Sequence, residues 1–555
     1  MPLNPFFDTK GTKTGKNVPL TDRFTIFEFI STGNTMKRFI SIIICAAMAL
    51  CAGAQGVRET ICLDSSGQFH IPAEDQQKHI WLQIDGIFPY TSISVNGFDL
   101  GHEPSGYATH IYNISEYLNY GGDNQVCIKT AAAQENETAE ISSHIRLTKA
   151  SKVHVAPFGT FVYSRFTLNS NDSGGCAACI GKPQLEIAYL TVETIVENMG
   201  TRSADYSLKH RLIDAAGTTV AEKAVSIRQL HAKASGRTEA QMEVWKPHLW
   251  TCEDPYLYTV VTEVICDGEV VDTYETETGI RHIAFDADSG LYLNGKDVKL
   301  KGMSIVPDEI QEQKIVQMKK IGCNALRVSH NAMAPHFLEI CDSLGMLVIE
   351  ENRLTGINRE HVELFERMIK SDRNHPSVVL WSAGNDEWGT EWNEHGKRIA
   401  ESMREYCSRF DPTRQMTTAQ IVGSTDVADH NDIEKSWKFI AERAYLAGVF
   451  YRAVPGFEIF DASGLPKDEA YYLKSWWATE PVLHIVPRQN DEGVTESVWV
   501  YSNCEEIQLI ADGVKLGRKV MPLNGHLEWE GVCAPKNVKA VGYRGGKKII
   551  LQTLR

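Results

Sequence analysis

The sequence predicts a multidomain chain in which β-sandwiches bracket a parallel (β/α) barrel, and three observations carry that expectation. The chain has 555 residues, and at about 150 residues per domain this predicts three or four folding units. Hydrophobic residues make up 43% of it and charged residues 23%, which supplies several cores and argues against disorder or a fibrous repeat. The texture also changes twice along the chain, from alternating apolar and polar residues to alternating strand-like and helix-like segments and back again. Period-2 stretches build antiparallel sheets, whereas strand and helix in alternation build a parallel one.

The first 54 residues are set apart. Met36-Lys37-Arg38 precedes an apolar run over 39–52 that ends in Ala52-Gly53-Ala54, the order of charged, apolar and small-residue regions in a secretory signal. The expectation is a start at Met36, cleavage after Ala54, and export to the periplasm or beyond. The run is about 15 residues long, short of the ~20 that span a bilayer, so no integral membrane segment is expected once it is removed. The whole chain carries 56 Lys and Arg against 71 Asp and Glu, a net charge of −15. That acidic balance argues against a nucleic-acid partner and favours a neutral or polar solute. Cys176-Ala-Ala-Cys179 is the one metal-like cysteine spacing, but no second Cys or His pair lies nearby. A zinc site needs four ligands, so the pair reads as inert thiols or a local disulfide and no metal is expected.

Residues 55–184 read as a β-sandwich, with Val95-Asn96-Gly97 marking a hairpin because a two-residue turn wants φ > 0 at both central positions. Residues 185–285 read as an immunoglobulin-like sandwich, with strict alternation over 190–198. Residues 286–475 read as the barrel. Strands are expected over 298–302, 324–328, 346–350 and 378–382, with helices over 309–321, 335–344, 359–371 and 392–409; the first two helices stop at Gly322 and Gly345, as helices closing on a left-handed residue do. Stretches 413–419 and 425–431 fit a fifth and a sixth strand, and 448–450 fits the last. Residues 476–555 return to β texture as a C-terminal sandwich.

Parallel barrels keep their working residues at the carboxyl ends of strands. Four stretches fall there: Arg327-Val328-Ser329-His330-Asn331, Glu350-Glu351-Asn352, Trp381 through Asn385-Asp386-Glu387, and Gly448 through Arg452. An amide followed by carboxylates suits sugar chemistry, with the amide binding a hydroxyl and the acid protonating a leaving oxygen. The plainer reading is a helix N-terminus, where the macrodipole favours acids.

The stretch 324–331 continuing through 341–351, together with Arg373-Asn374-His375-Pro376-Ser377 leading to Asn385, resembles the two barrel motifs of glycoside hydrolase family 2, the β-galactosidase and β-glucuronidase family. Asn96-Gly97 with Leu100-Gly101 resembles the family's sugar-binding, jelly-roll sandwich; Pro247-His248-Leu249-Trp250 resembles its second domain, and Gly279-Ile280-Arg281 the approach to its barrel. Asn503-Cys504 with Asp512-Gly513 resembles the domain that follows the barrel in many bacterial members. The resemblance implies a (β/α)8-type TIM barrel and a β-glycoside as substrate or ligand, with no cofactor. It also implies retaining hydrolysis by two Glu about 5 to 5.5 Å apart. Carried over by position, Asn385 would bind the hydroxyl beside the anomeric carbon, and Arg327 and His330 would line the site. The acid/base position falls on Asp386, where the family has Glu; Glu387 is the substitute. Losing a methylene draws a carboxyl back by roughly 1.5 Å, a displacement that costs on the order of a hundredfold.

The nucleophile has no counterpart in the sequence. Four further strand-helix units need roughly 120 residues at ~30 each, and 411–472 offers about half. Arg452 stands where the family has Trp in the last strand, and Glu434 and Glu442, the acids of that type in the gap, read as helical and solvated. Two expectations follow: a β-galactosidase-like hydrolase of impaired activity, or a protein that binds carbohydrate or a partner without turnover. Trp388, Trp392 and Trp437 read as sugar platforms or core, and Asp308 as a helix cap.

Overall fold

The structure, a computed structural model, describes residues 58–554 apart from 64–66, 86–90, 104–108, 131–144, 169–182, 287, 306–311, 330–331, 385–392, 418–423, 428–436, 444–445, 454–458, 462–463 and 491–492. Strands Glu59–Cys62, Ile145–Ala150, His79–Ile84 and His110–Asn113 form one antiparallel sheet, and Gln68–Ile71, Gly122–Thr130, Thr91–Val95 and Phe98–Glu103 form another. Ile80, Leu82 and Ile84 from the first meet Ile93, Val95 and Val126 from the second in one core. The hairpin falls where the Asn-Gly pair places it, with φ of 51° and 84° at Asn96 and Gly97 and Val95 paired to Phe98.

The next sandwich sets the three-stranded sheet Ala234–Trp245, Pro183–Asn198, Val153–Leu168 against the four-stranded sheet Thr219–Leu230, Ala204–Ile213, Tyr258–Cys266, Glu269–Thr278. Leu190 and Val192 of one sheet pack on Leu212 and Val260 of the other.

The barrel follows. Its strands are β1 (Leu300–Ile305), β2 (Ala325–Val328), β3 (Leu347–Glu351), β4 (Val378–Ser382), β5 (Gln415–Thr417), β6 (Ser424–Val427) and β7 (Gly448–Ala453). Its helices are α1 (Glu312–Lys320), α2 (Pro335–Leu344), α3 (Arg359–Asp372) and α4 (Glu394–Phe410), with α5 (Asp468–Trp477) after β7. Sequence signals mark their ends. Pro335 opens α2, and Gly345 at φ 67° closes it with its N–H on the Cys341 carbonyl. Asn358 and Asn393 cap α3 and α4 by accepting from the His361 and Gly396 amides, each cap worth about 1 kcal/mol.

All barrel pairings are parallel, in the order β5-β4-β3-β2-β1-β7-β6. β6 starts within a residue of the stretch 425–431 that fits a sixth strand, and it pairs with the closing strand, Asp426 opposite Arg452; among the described residues it has no ladder with β5. An alternating pattern tells which face a strand buries but not which strand it pairs with, and that choice is tertiary.

Side-chain alternation separates the barrel's two faces. Met303, Leu326, Val328, Val348, Trp381 and Tyr451 pack outward with Ile315 and Met318 of α1, Leu338 of α2 and Phe365 of α3. Leu300, Ala325, Leu347, Ile349, Leu380 and Phe450 pack inward and meet Trp250 and Leu291 at the base. The interior is filled: a Cβ added at Gly302 would fall 2.2 Å from the Phe450 ring. Beyond the barrel, Leu483–Gln489, Thr495–Ser502 and Leu527–Glu530 form a three-stranded sheet, and Val514–Val520, Glu506–Ala511, Val538–Arg544 and Lys547–Leu554 a four-stranded one, around a core containing Val498, Val500, Ile507 and Ala540.

Candidate active site

Alternation carries Arg327 of β2, Glu351 of β3 and Ser382 of β4 to the inward face, one step above the apolar layer and at the carboxyl ends of their strands. All three are fully buried. The Arg327 guanidinium donates to Glu351 Oε2 from Nε at 3.3 Å and Nη2 at 2.9 Å, and the Ser382 hydroxyl donates to the same oxygen at 3.1 Å. Arg327 Nη1 is buried with no hydrogen-bond partner among the described residues. Beside this group the Ser304 and Ser329 hydroxyls meet at 2.8 Å. A charged, polar floor in so dry a place is held by mutual pairing, because an isolated ion there would be costly.

Glu350 is one residue from Glu351 and does the opposite job. It points outward into the helix layer, where Oε1 accepts from the Met333 amide at 2.6 Å and Oε2 is buried with no partner among the described residues. Burial, then the nearby Asp372 charge, push its carboxyl well above the usual range. Its role is to tie down the segment between β2 and α2. Sequence reading placed Glu350-Glu351-Asn352 together at the end of the third strand; both glutamates lie within β3, and strand alternation is the signal that separates them. Above them the β3 and β4 ends are stitched together: the Asn352 amide donates to the Ser382 carbonyl at 2.9 Å, and the Thr355 hydroxyl to the Ala383 carbonyl at 2.9 Å.

Of the residues expected to do chemistry, the structure places Arg327 in this floor. His330, Asn385, Asp386 and Glu387 lie outside the described residues, as do Asp308, Trp388, Trp392, Glu434 and the Cys176, Cys179 pair. Trp437 is 6% exposed, packs on Trp477 and donates from Nε1 to Asn524 Oδ1 at 3.0 Å, so it is core. Glu442 has an exposed side chain beside Arg443, which fits a solvated acid. The nine described cysteines are free thiols, and among the described residues no group of three His, Cys, Asp or Glu side chains is arranged to hold a metal.

The motif Arg373-Asn374-His375-Pro376-Ser377 serves the other end of β4. Asn374 Oδ1 accepts from the Val162 amide and its Nδ2 donates to the Thr160 carbonyl, both at 2.8 Å. His375 Nδ1 meets Asp342 Oδ2 at 2.6 Å, the Ser377 amide donates to Asp342 Oδ1 at 2.9 Å, and Trp250 Nε1 donates to the Asp342 carbonyl at 2.9 Å. Burial lowers the His375 pKa, but the Asp342 charge and hydrogen bond, with the Asp372 and Glu339 charges, together raise it. Gly279 sits so close that a Cβ there would lie 2.8 Å from both Pro376 and Trp250. The motif therefore docks the immunoglobulin-like sandwich under the barrel, at the end of β4 away from Ser382.

β-sandwiches ahead of a parallel barrel, with polar side chains gathered inside the carboxyl-end mouth, define a multidomain TIM-barrel protein of the kind that works at that mouth. The family profile described as glycosyl hydrolases family 2 matches residues 182–281, and the profile of that family's TIM-barrel domain matches 287–360 and 355–444. A domain of unknown function matches 493–550. A β-galactosidase from Bacteroides ovatus is 24% identical over 87% of this chain and 73% of its own length; a putative β-glucuronidase from Formosa agariphila is 23% identical over 85% of this chain and 56% of its own. The crystal structure of a family 2 member from Bacteroides cellulosilyticus superposes with a TM-score of 0.77 at 26% identity, covering 91% of this chain and 77% of that one. The chain belongs to glycoside hydrolase family 2, a family of β-glycoside hydrolases.

Proposed function

We propose that this chain hydrolyses the O-glycosyl bond of a terminal β-linked sugar, a β-galactoside in the first instance, at the carboxyl-end mouth of its barrel. The observation that supports this most is the buried Arg327, Glu351, Ser382 floor, a preorganised polar surface of the kind that positions a sugar ring and senses charge developing on it. On this reading Arg327 and His330 line the pocket, Asn385 binds the hydroxyl beside the anomeric carbon, and Asp386 is the general acid and base, with Glu387 as its substitute. Export rests on the residues 36–54 alone; among the described residues no helix is long and apolar enough to cross a membrane.

A second reading, a carbohydrate-binding protein without turnover, is favoured by one observation. The strand beside the closing strand is Ser-Thr-Asp-Val and no Glu occurs before Glu434, so the barrel would be short of a strand and of the usual nucleophile. Incubating the protein with a panel of aryl β-glycosides and a 2-deoxy-2-fluoro glycosyl fluoride separates the two. Turnover with stoichiometric labelling of one carboxylate supports hydrolysis and identifies the nucleophile, with Asp426, Asp429 and Asp432 the acids in sequence on or after β6. Sugar binding with neither labelling nor release of the aryl group overturns hydrolysis in favour of binding.

A further inference from the structure

A cleft at the base of the barrel, on the side away from the mouth, is lined by Tyr163, Ser164, Arg281, His282, Thr413 and Arg414. Its charges do not balance. Arg414 is satisfied: Nη1 donates to Asp411 Oδ2 at 2.7 Å, Nε to the Val378 carbonyl at 2.7 Å and Nη2 to the His375 carbonyl at 2.9 Å. Asp411 is fully occupied, because it also accepts from Trp381 Nε1 at 2.9 Å and from the Thr413 hydroxyl at 2.6 Å and amide at 2.8 Å. Asp342, whose charge also reaches Arg281, is committed to His375. The Arg281 side chain has one hydrogen-bond partner among the described residues, the neutral Val378 carbonyl, to which Nη2 donates at 2.6 Å. Burial and the adjacent Arg414 charge lower the Arg281 pKa by more than the Asp411 and Asp342 charges raise it. Next to it, His282 Nδ1 is buried without a partner among the described residues, and burial with the Arg281 charge lowers that ring's pKa.

We propose that this cleft binds a small tetrahedral oxyanion, phosphate or sulfate, with the Arg281 guanidinium as its charged contact and Arg414 adding to the field. A guanidinium presents a planar fork that two oxyanion oxygens match. The half-sequestered setting makes that contact stronger than it would be in open water. The ion supplies the missing charge between the immunoglobulin-like sheet, through Ser164 and Arg281, and the barrel base, through Thr413 and Arg414. It therefore acts as a removable tie between the two.

The test is calorimetric titration of the full-length chain with sodium sulfate, sodium phosphate and a monosaccharide sulfate, alongside melting curves in sulfate and in chloride at matched ionic strength. Saturable 1:1 binding is expected, with a melting temperature that rises and then plateaus. Inorganic and sugar-borne ions are told apart by which titrant binds. Arg281→Gln should weaken binding at least tenfold. Ser164→Asp, which sets a carboxylate in the cleft, should abolish the ion response while the protein stays folded, and so keeps the test decisive if Arg281→Gln does not fold. Sulfate also stabilises proteins generally by exclusion from their surfaces, but that effect does not saturate and is shared by all variants. Absence of saturable binding by all three titrants, or binding unchanged in Ser164→Asp, overturns the proposal.

Discussion

Replacing Arg327 with Met tests the buried floor most directly. Arg327 and Glu351 are both 0% exposed and share two hydrogen bonds. Removing the guanidinium leaves a buried carboxylate that keeps the hydrogen bond from the Ser382 hydroxyl. Breaking one side of such a pair costs about 3–5 kcal/mol. The hydrogen bond from Ser382 offsets about 1–2 kcal/mol of that. The double variant Arg327→Met with Glu351→Leu removes both charges and returns to within about 1–2 kcal/mol of the parent, since an apolar pair of similar volume is often neutral in such a place. Urea unfolding followed by tryptophan fluorescence reads this, because Trp250 and Trp381 are fully buried in the barrel's two cores. A single variant that loses less than about 1 kcal/mol, or a double variant as unstable as the single, would refute the view that mutual neutralisation holds the floor together.

Glu350→Gln keeps an amide oxygen that can accept from Met333 and carries no charge at any pH, so it should fold and unfold with a weaker pH dependence than the parent. The Glu350 carboxyl pKa is raised in the fold, so the parent's stability falls as pH rises above the unfolded value of about 4.5, by up to about 1.4 kcal/mol per unit; urea midpoints at several pH values should show this slope gone in the variant. His154 and His210 are buried neutral, with burial holding each at about 4. Each therefore subtracts up to about 1.4 kcal/mol per unit as pH falls from 6.5 towards 4, and His210→Leu should flatten part of that loss in acid melting curves. Asn374→Ala removes both bonds to the strand Val153–Leu168 and should cost about 1–3 kcal/mol, seen as an earlier, less cooperative unfolding transition.

Much of this was legible locally. The Gly345 cap, the Asn-Gly hairpin and the apolar runs of β3 and β4 each depend on a few adjacent residues, and the strands and helices of the first four barrel units fall close to where periodicity puts them. The partner of β6 was not legible, because its pairing with β7 rests on contacts across the sheet. Nor was the division of labour within Glu350-Glu351: adjacent, chemically identical side chains become a hydrogen-bonded clamp and an ion-paired floor because the pleat sends them to opposite sides. The motif 373–377 was read as part of a chemical signature. Its hydrogen bonds to Thr160, Val162 and Asp342 show that docking, a purely architectural task, also demands those residue types.

β4, only five residues long, thus carries two unrelated obligations at its two tips. Selection for a folded chain alone is sufficient to preserve the lower tip, whatever becomes of the upper one. A lineage that abandoned catalysis would go on displaying half of its ancestral hallmark, so membership of a hydrolase family and possession of a working hydrolase are separable properties, and only the far tip can report on the second.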